Sequence, residues 1–171
     1  MVMIADMSEN MKLPIVLIER LALEYRIDPV LFQAFILLES GGNKYAVQYQ
    51  PGYRHLYQPY EFSKKLYITY VTEKVFQQSS HGLVQIMGAT ARSLGFKGYP
   101  QQLYDTETNL RYGAKFIAQL QLRYPNKLDL ISSYNQGQPF KTKDGFYKNQ
   151  EYVNKVLKKI KEIDIWNAYN F

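Results

Sequence analysis

The stretch that most constrains the fold runs from Asp28 to Asn43, DPVLFQAFILLESGGN. It reads as one short helix with both ends marked. Asp28 is a good N-cap, and Pro29 fits the first helical position, where a missing N–H costs nothing. Gly41 and Gly42 supply the left-handed stop. Nearly everything between is apolar, so the helix is expected to be enclosed on most sides. The exception in its last turn is Glu39. That carboxylate sits at the negative end of the helix dipole and beside Phe35, Ile36, Leu37 and Leu38, and both effects disfavour its ionised form. A carboxylic acid kept protonated near neutrality is what a general acid for cleaving glycosidic bonds requires. An exposed Glu before a loop is the plainer reading of the same residues.

Composition narrows the setting. At 171 residues the chain suits one domain with a real core. Hydrophobic residues at 46% and charged ones at 21% are ordinary for a soluble globular protein. The aromatic share is richer, with 16 Tyr and 9 Phe. Tyrosines in clefts stack on sugars and bases, although most simply pack with the hydroxyl at the surface. A net charge of +6 suits a polyanionic target, whether nucleic acid, anionic lipid or a cell-wall polymer. There is no cysteine, so disulfides and thiolate chemistry are excluded. His55 and His81 are too few for a His-based metal site without several carboxylates. Nothing in the chain calls for a cofactor. Met1–Lys12 reads as a loose polar tail without the basic and apolar regions of a secretory signal, and no apolar run has membrane-spanning length.

Along the chain, Leu13–Arg26 has apolar residues at helical spacing and should pack on the Asp28 helix. From Tyr45 to about Ser80 the pattern breaks, with seven tyrosines between Tyr45 and Tyr70. Tyr67–Val71 has strand-like composition, so a long excursion with a small hairpin or short helix is expected. Long loops inside a compact domain are usually functional, the alternative being a flap over the core. Ser79–Gly82 is turn-like, and Leu83–Leu94 reads as a helix ending at Gly95. Asp105 or Thr106 caps a helix to about Tyr124. Leu128–Asn135 is a buried helix stopped by Gly137, Gln138–Lys148 is a Lys-rich loop, and a last helix runs from Asn149 or Gln150 to about Ile163. The expectation is a mainly α single domain over residues 1–171, with a mixed insertion at 48–80.

Three further segments belong with Glu39. Gly82-Leu83-Val84-Gln85-Ile86-Met87 puts one amide in an apolar setting. Ser133-Tyr134-Asn135-Gln136-Gly137 ends a buried helix with a phenol and an amide, and Glu151-Tyr152-Val153 opens the last helix with another phenol. Buried amides need partners, and a ligand can be one. Amides read sugar hydroxyls and N-acetyl groups well because each both donates and accepts. Singly, each segment is more simply a satisfied structural polar group.

In this order they carry more. The set Glu39-Ser40-Gly41-Gly42-Asn43, Ala46-Val47, Gly82–Met87, Asp105, Asn109-Leu110, Gly113, Tyr134–Gly137 and Tyr152-Val153 resembles the soluble lytic transglycosylase family. These are goose-lysozyme-like glycoside hydrolases acting on peptidoglycan. The resemblance spans roughly Leu17 to Leu157 and implies a lysozyme-like fold. It implies that Glu39 is the single catalytic acid/base, that Gln85 contacts the saccharide and that Met87 lines the groove. It further implies that Tyr134 and Asn135 bind sugar and shape the site, and that Tyr152 hydrogen-bonds the catalytic carboxylate. Val84 stands where the family usually has methionine. The family joins its first two motifs by a short loop bearing a serine that contacts the muramoyl N-acetyl group. Here that connection runs from Asn43 to Gly82, so Ser80 and Ser79 are only candidates for it. The insertion can instead wall the groove with Tyr49, Tyr53, Tyr57 or Tyr60.

Ordinary glycosidases use two carboxylates. Between Glu39 and Asp105 the only others are Glu61 and Glu73, and neither matches a family motif. With one carboxylate the substrate must supply the nucleophile, so the resemblance implies transfer to the muramoyl C6 hydroxyl and a 1,6-anhydro product. A hydrolytic muramidase using Glu61 or Glu73 is the nearest rival, and a non-catalytic wall-binding module the next. A helical nucleic-acid binder is disfavoured, since a lysine-bearing helix face is usually just solvated and no nucleic-acid motif is present. The expected partner is the peptidoglycan glycan strand, with no nucleic acid and no membrane insertion, for a monomer or part of a virion or cell-wall machine. The expected place of action is the periplasm or cell wall, reached as a virion-associated or lysis-released protein, and a domain of a larger bacterial protein fits equally well.

Overall fold

A computed structural model of the chain describes residues 13–170. The expected polar tail, Met1–Lys12, lies outside them. Two compact units are distinguished: one is built from residues up to Leu38 and from Ala114 onward, the other from Glu39–Gly113.

The first unit is helical. Helix α1 (Ile15–Tyr25) starts after Pro14 and stops at Arg26, whose φ of 55° turns the chain left-handed. Helix α2 (Pro29–Ser40) begins where the sequence places it. Asp28 Oδ1 accepts from the backbone N–H of Val30 at 2.9 Å and of Leu31 at 3.2 Å, satisfying two of the donors a helix start leaves open. The first ten residues of α2 belong to this unit, and Leu31–Leu37 are all buried, as an apolar helix requires. Past the unit boundary at Ala114, the rest of helix α6 (Thr106–Arg123) contributes Ala114, Ile117 and Leu120 to the core. Helix α7 (Lys127–Gln136) is capped by Asn126, which accepts from Leu128 and Asp129 N–H, and ends at Gly137 with φ 81°. Helix α8 (Gln150–Asn170) continues a full seven residues past the expected end at Ile163. Val153, Val156 and Ile163 have no exposure at all and mark the buried face of α8. The Gln138–Lys148 loop folds back through one antiparallel bridge between Lys141 and Tyr147.

The second unit carries the sheet. Strands β1 (Val47–Tyr49), β2 (Ser79–His81) and β3 (Ile86–Met87) form an antiparallel sheet in the order β1-β2-β3. Helices α3 (Pro59–Lys65) and α4 (Tyr70–Gln77) fill the connection from β1 to β2, and α5 (Gly88–Ser93) follows β3 directly. A 3₁₀ turn at Pro100–Tyr104 leads to α6, whose start is capped by Asp105 through the Thr108 N–H and hydroxyl.

Three expectations are corrected here. Tyr67–Val71 is not a strand. Thr69 instead accepts from Thr72 N–H at 3.0 Å and opens α4, so an N-cap overrides β-propensity. Ser79–His81 is a strand rather than a turn. The helix expected over Leu83–Leu94 exists only from Gly88, because Gly82–Gln85 make the turn of the β2–β3 hairpin.

The insertion is internally pinned. Gln77 and Gln78, both buried, bond to the backbone of the loop that precedes α3. Gln77 bonds to Tyr57 N–H at 2.7 Å and Tyr57 carbonyl at 2.9 Å, and Gln78 to the Pro51 and Tyr53 carbonyls. Beneath them Glu73 and Arg92, neither exposed at all, form a bidentate pair with both contacts at 2.8 Å. Gln77 also donates to Glu73, and Arg92 donates to the Phe96 and Gly98 carbonyls. The guanidinium lies 4.4–5.0 Å from the ring centroids of Phe62, Phe76 and Phe96. Every charge in this buried cluster is paired, as burial demands.

Candidate active site

Glu39 occupies the last turn of α2 and is half-buried, and the motif residues around it explain why the helix stops there. Gly41 and Gly42, with φ 59° and 80°, turn the chain away. Ser40, next to Glu39, donates to the Leu83 carbonyl at 2.7 Å and accepts from Gly42 N–H at 3.2 Å. One hydroxyl thereby fastens the end of the Glu39 helix to the β2–β3 hairpin turn.

That turn is held from three directions. Gly82 N–H donates to the Ala46 carbonyl at 2.8 Å. Asn109 of α6, buried, donates to the His81 and Leu103 carbonyls and accepts from Val84 N–H. Gln85 stands in the left-handed region at φ 46° and donates both amide hydrogens inward, to Ala46 O at 3.0 Å and Gly82 O at 2.9 Å. Because those partners are carbonyls, the orientation of the Gln85 amide is settled: its Oε1 accepts from Ser80 Oγ at 2.8 Å. Gln85 therefore has only oxygen lone-pair capacity left for a ligand. Ser80 is 4% exposed and its hydroxyl hydrogen is used on Gln85. Ser79 is buried as well and donates to the Val75 carbonyl.

Strand register decides which side chains share a face. Gln48, Ser80 and Met87 are mutual partners across the three strands, so their side chains project on the same side of the sheet. The Glu39–Gly113 unit thus carries Glu39, Ser80, Gln85 and Met87, and adds Gln48, which sequence reasoning did not single out. The opposite face carries His81, which is buried. Its Nε2 faces the Phe76 carbonyl at 2.9 Å and its Nδ1 faces the Tyr104 hydroxyl at 2.9 Å. A carbonyl can only accept, so Nε2 bears the proton and Nδ1 accepts from Tyr104. Burial holds the His81 pKa below its ordinary 6.5, against a smaller opposing effect of the Phe76 carbonyl.

The remaining expected residues lie in the other unit. Tyr134, half-buried on α7, stacks on Phe35 of α2 with centroids 4.0 Å apart and planes at 10°, and also meets Phe116. Asn135, exposed, accepts from Asn149 Nδ2 at 3.0 Å. Tyr152 is half-buried in the first turn of α8. Asn109, in the motif set without a role of its own, and Asn149, expected only as a possible start of the last helix, both carry structural weight. The signal for Asn109 was its place in the ordered motif set, and for Asn149 an Asn at the start of a helix.

The two other carboxylates of the insertion differ sharply. Glu73 is committed to Arg92 and Gln77. Glu61 is exposed in the first turn of α3, beside a cavity of about 260 Å³ lined by Tyr57, Phe62, Lys65 and Lys97 among others, and none of the motif residues lines it. Among the described residues no group of three or more His, Cys, Asp or Glu side chains is arranged to hold a metal ion, and no helix is long and apolar enough to cross a membrane.

The family model of the transglycosylase SLT domain matches residues 16–169, nearly the whole chain. The chain belongs to that family. The mostly helical architecture with a small antiparallel sheet is consistent with the lysozyme-like SLT fold. No significant match is found among curated proteins or solved structures. As a member of the SLT family, this protein is a lytic-transglycosylase-like, glycosidase-like enzyme whose substrate is cell-wall peptidoglycan.

Proposed function

We propose that this SLT protein cleaves the β-1,4 bond between N-acetylmuramic acid and N-acetylglucosamine without water, using Glu39 alone as acid and then base. Glu39 protonates the bridging oxygen as the bond breaks, and the substrate N-acetyl group stabilises the cation developing at C1. The carboxylate left on Glu39 then takes the proton from the muramoyl C6 hydroxyl as that oxygen attacks C1. The products are a 1,6-anhydromuramoyl end and a free N-acetylglucosamine hydroxyl.

The observation that carries this reading is the carboxylate inventory around a fixed Glu39. Ser40 anchors the Glu39 turn to the hairpin that bears Gln85 and Met87. Glu73 is consumed by Arg92, and Glu61 lies beside a cavity that none of the motif residues lines. Neither supports a second catalytic carboxylate, which the ordinary inverting and retaining mechanisms of hydrolysis require. Met87 lines the groove, Gln85 meets a sugar hydroxyl as an acceptor, and Ser80 serves through Gln85. Tyr134, Asn135 and Tyr152 take the substrate-binding and supporting roles that the family gives them.

The test is digestion of purified peptidoglycan by wild type and Glu39→Gln, with products identified by mass spectrometry. Anhydromuramoyl ends that disappear in the variant are expected. Reducing ends would turn the chemistry into hydrolysis and direct attention to Glu61. No products from folded wild type on several wall types would favour a binding module.

A further inference from the structure

We propose that Asn149 is a positioning residue that fixes the polarity of the Asn135 amide, so that Asn135 meets the glycan only as an N–H donor. The proposal rests on the reading of Asn135 as a sugar-binding residue. It starts from an atom that cannot be turned over, the Ser132 backbone carbonyl, which lies 3.0 Å from an Asn149 amide atom that must therefore be nitrogen. The oxygen of Asn149 then faces the Ser132 hydroxyl, which donates to it at 2.7 Å and accepts from Gln136 Nε2 at 3.0 Å. The other N–H of Asn149 points at Asn135 at 3.0 Å, and only an oxygen can receive it there. Asn135 is thus held with Oδ1 toward Asn149 and its NH₂ group turned away, on an exposed residue.

An unconstrained amide donates or accepts as its ligand requires. This one is held one way round by a chain that ends in backbone. Two adjacent N–H donors suit an atom that can only accept; a glycan strand offers ring and bridging ether oxygens and, as a stronger acceptor, the carbonyl oxygen of an N-acetyl group, to which we assign the contact. A free hydroxyl, able to donate or accept, would not need the polarity fixed. Gln85 shows the complementary state in the other unit, with both its hydrogens used internally and only its oxygen left.

The experiment measures binding of solubilised glycan strands to protein carrying Glu39→Gln, so that turnover does not intervene, and KM and kcat in protein with Glu39 intact. Asn149→Asp has no N–H to give. It faces Asn135 as an acceptor and turns that amide over, presenting oxygen to the substrate carbonyl. A rise of about tenfold in Kd and KM with kcat little changed is expected, the scale of one lost hydrogen bond with an acceptor left facing an acceptor. In an Asn135→Ala background the same Asn149→Asp change should add nothing, which separates positioning from general loosening of the Gln138–Lys148 loop. Asn135→Asp, which keeps shape but replaces donors by acceptors, should show a similar rise without touching Asn149. Unchanged binding in folded Asn149→Asp, or an equal loss in the Asn135→Ala background, overturns the proposal. Absence of glycan binding by every form, including the parent, would instead remove the sugar-binding reading of Asn135 and the proposal with it.

Discussion

Gly82 has no room for a side chain. A Cβ there would lie 2.4 Å from Asn109 Nδ2, and its φ is 72°. The amide it would strike is the one that holds the hairpin turn, so the clash cannot be relieved without releasing Val84 N–H and the His81 carbonyl. Gly41 makes the contrast, with φ 59° but nothing within 4 Å of its Cβ position. Gly41→Ala should cost only the left-handed strain, about 1–2 kcal/mol. Gly82→Ala adds overpacking to the same strain and should cost about 3 kcal/mol or more. Urea midpoints of the two variants check this, and equal losses would mean that Asn109 moves aside freely. Ser40→Ala tests the neighbouring anchor. It should lose about 1 kcal/mol of stability through the Leu83 and Gly42 bonds, and lower peptidoglycan cleavage more than that loss of folded protein explains. Cleavage that merely tracks the folded fraction would reduce Ser40 to a helix terminator.

At the scale of elements, helices with local signals were legible and the hairpin was not. Asp28, Asp105, Gly41 and Gly137 each act on backbone within a few residues, so their meaning is written beside them. The Gly82–Gln85 turn has one local mark, Gly82 at φ 72°, and apolar residues that suit a helix follow it directly. Leu83, Val84, Ile86 and Met87 suit a helix, and a Gln at φ 46° is unfavourable unless something offsets it. What offsets it comes from Ala46, Ser80 and Asn109, up to 39 residues away. The candidate site divides in the same way: Glu39, Gln85, Met87, Tyr134, Asn135 and Tyr152 stood out by residue type and order. The direction in which the Gln85 and Asn135 amides face depends on partners that only the fold supplies. The insertion yields a further prediction. Glu73→Gln leaves the Arg92 guanidinium buried without a counter-charge and should cost about 3–5 kcal/mol. Adding Arg92→Met, which places an apolar chain among Phe62, Phe76 and Phe96, should restore much of it. At a temperature where the double variant stays folded, it should cleave peptidoglycan at near wild-type rate. Loss of cleavage in folded double variant would give Glu73 a chemical role and revive the hydrolytic alternative.

Across the whole molecule, the titrating groups set a window of stability. His81 is neutral when folded, with its pKa held below 6.5 by burial. Its unfolded form takes up a proton first, so the contribution is fully present above 6.5 and is lost as pH falls through the folded value. Three aspartates among the described residues act further down. Burial opposes ionisation of Asp28, but the Lys127 hydrogen bond and charge with the Leu31 and Val30 N–H groups outweigh it and hold its pKa below 3.8. Asp105 is lowered by the Thr108 N–H and hydroxyl, and Asp129 chiefly by the Tyr147 hydroxyl with Lys141 assisting, each from 3.8. Their stabilisation is present above 3.8 and is lost as pH falls through their folded values. On the alkaline side, burial raises the pKa values of Tyr53, Tyr104 and Tyr147 above 10.0, so their contribution is present below 10.0 and lost above it. Stability should therefore form a plateau between about pH 6.5 and 10, with a first acid decline assigned to His81 and a second to the carboxylates. Denaturant midpoints taken across pH check the shape. His81→Gln, which keeps a donor for the Phe76 carbonyl and an acceptor for Tyr104 without a titrating group, should lower the plateau but remove the first decline. If the first decline persists in that variant, the proton enters elsewhere, and the neutral tautomer assigned from the Phe76 and Tyr104 contacts does not govern the acid limb.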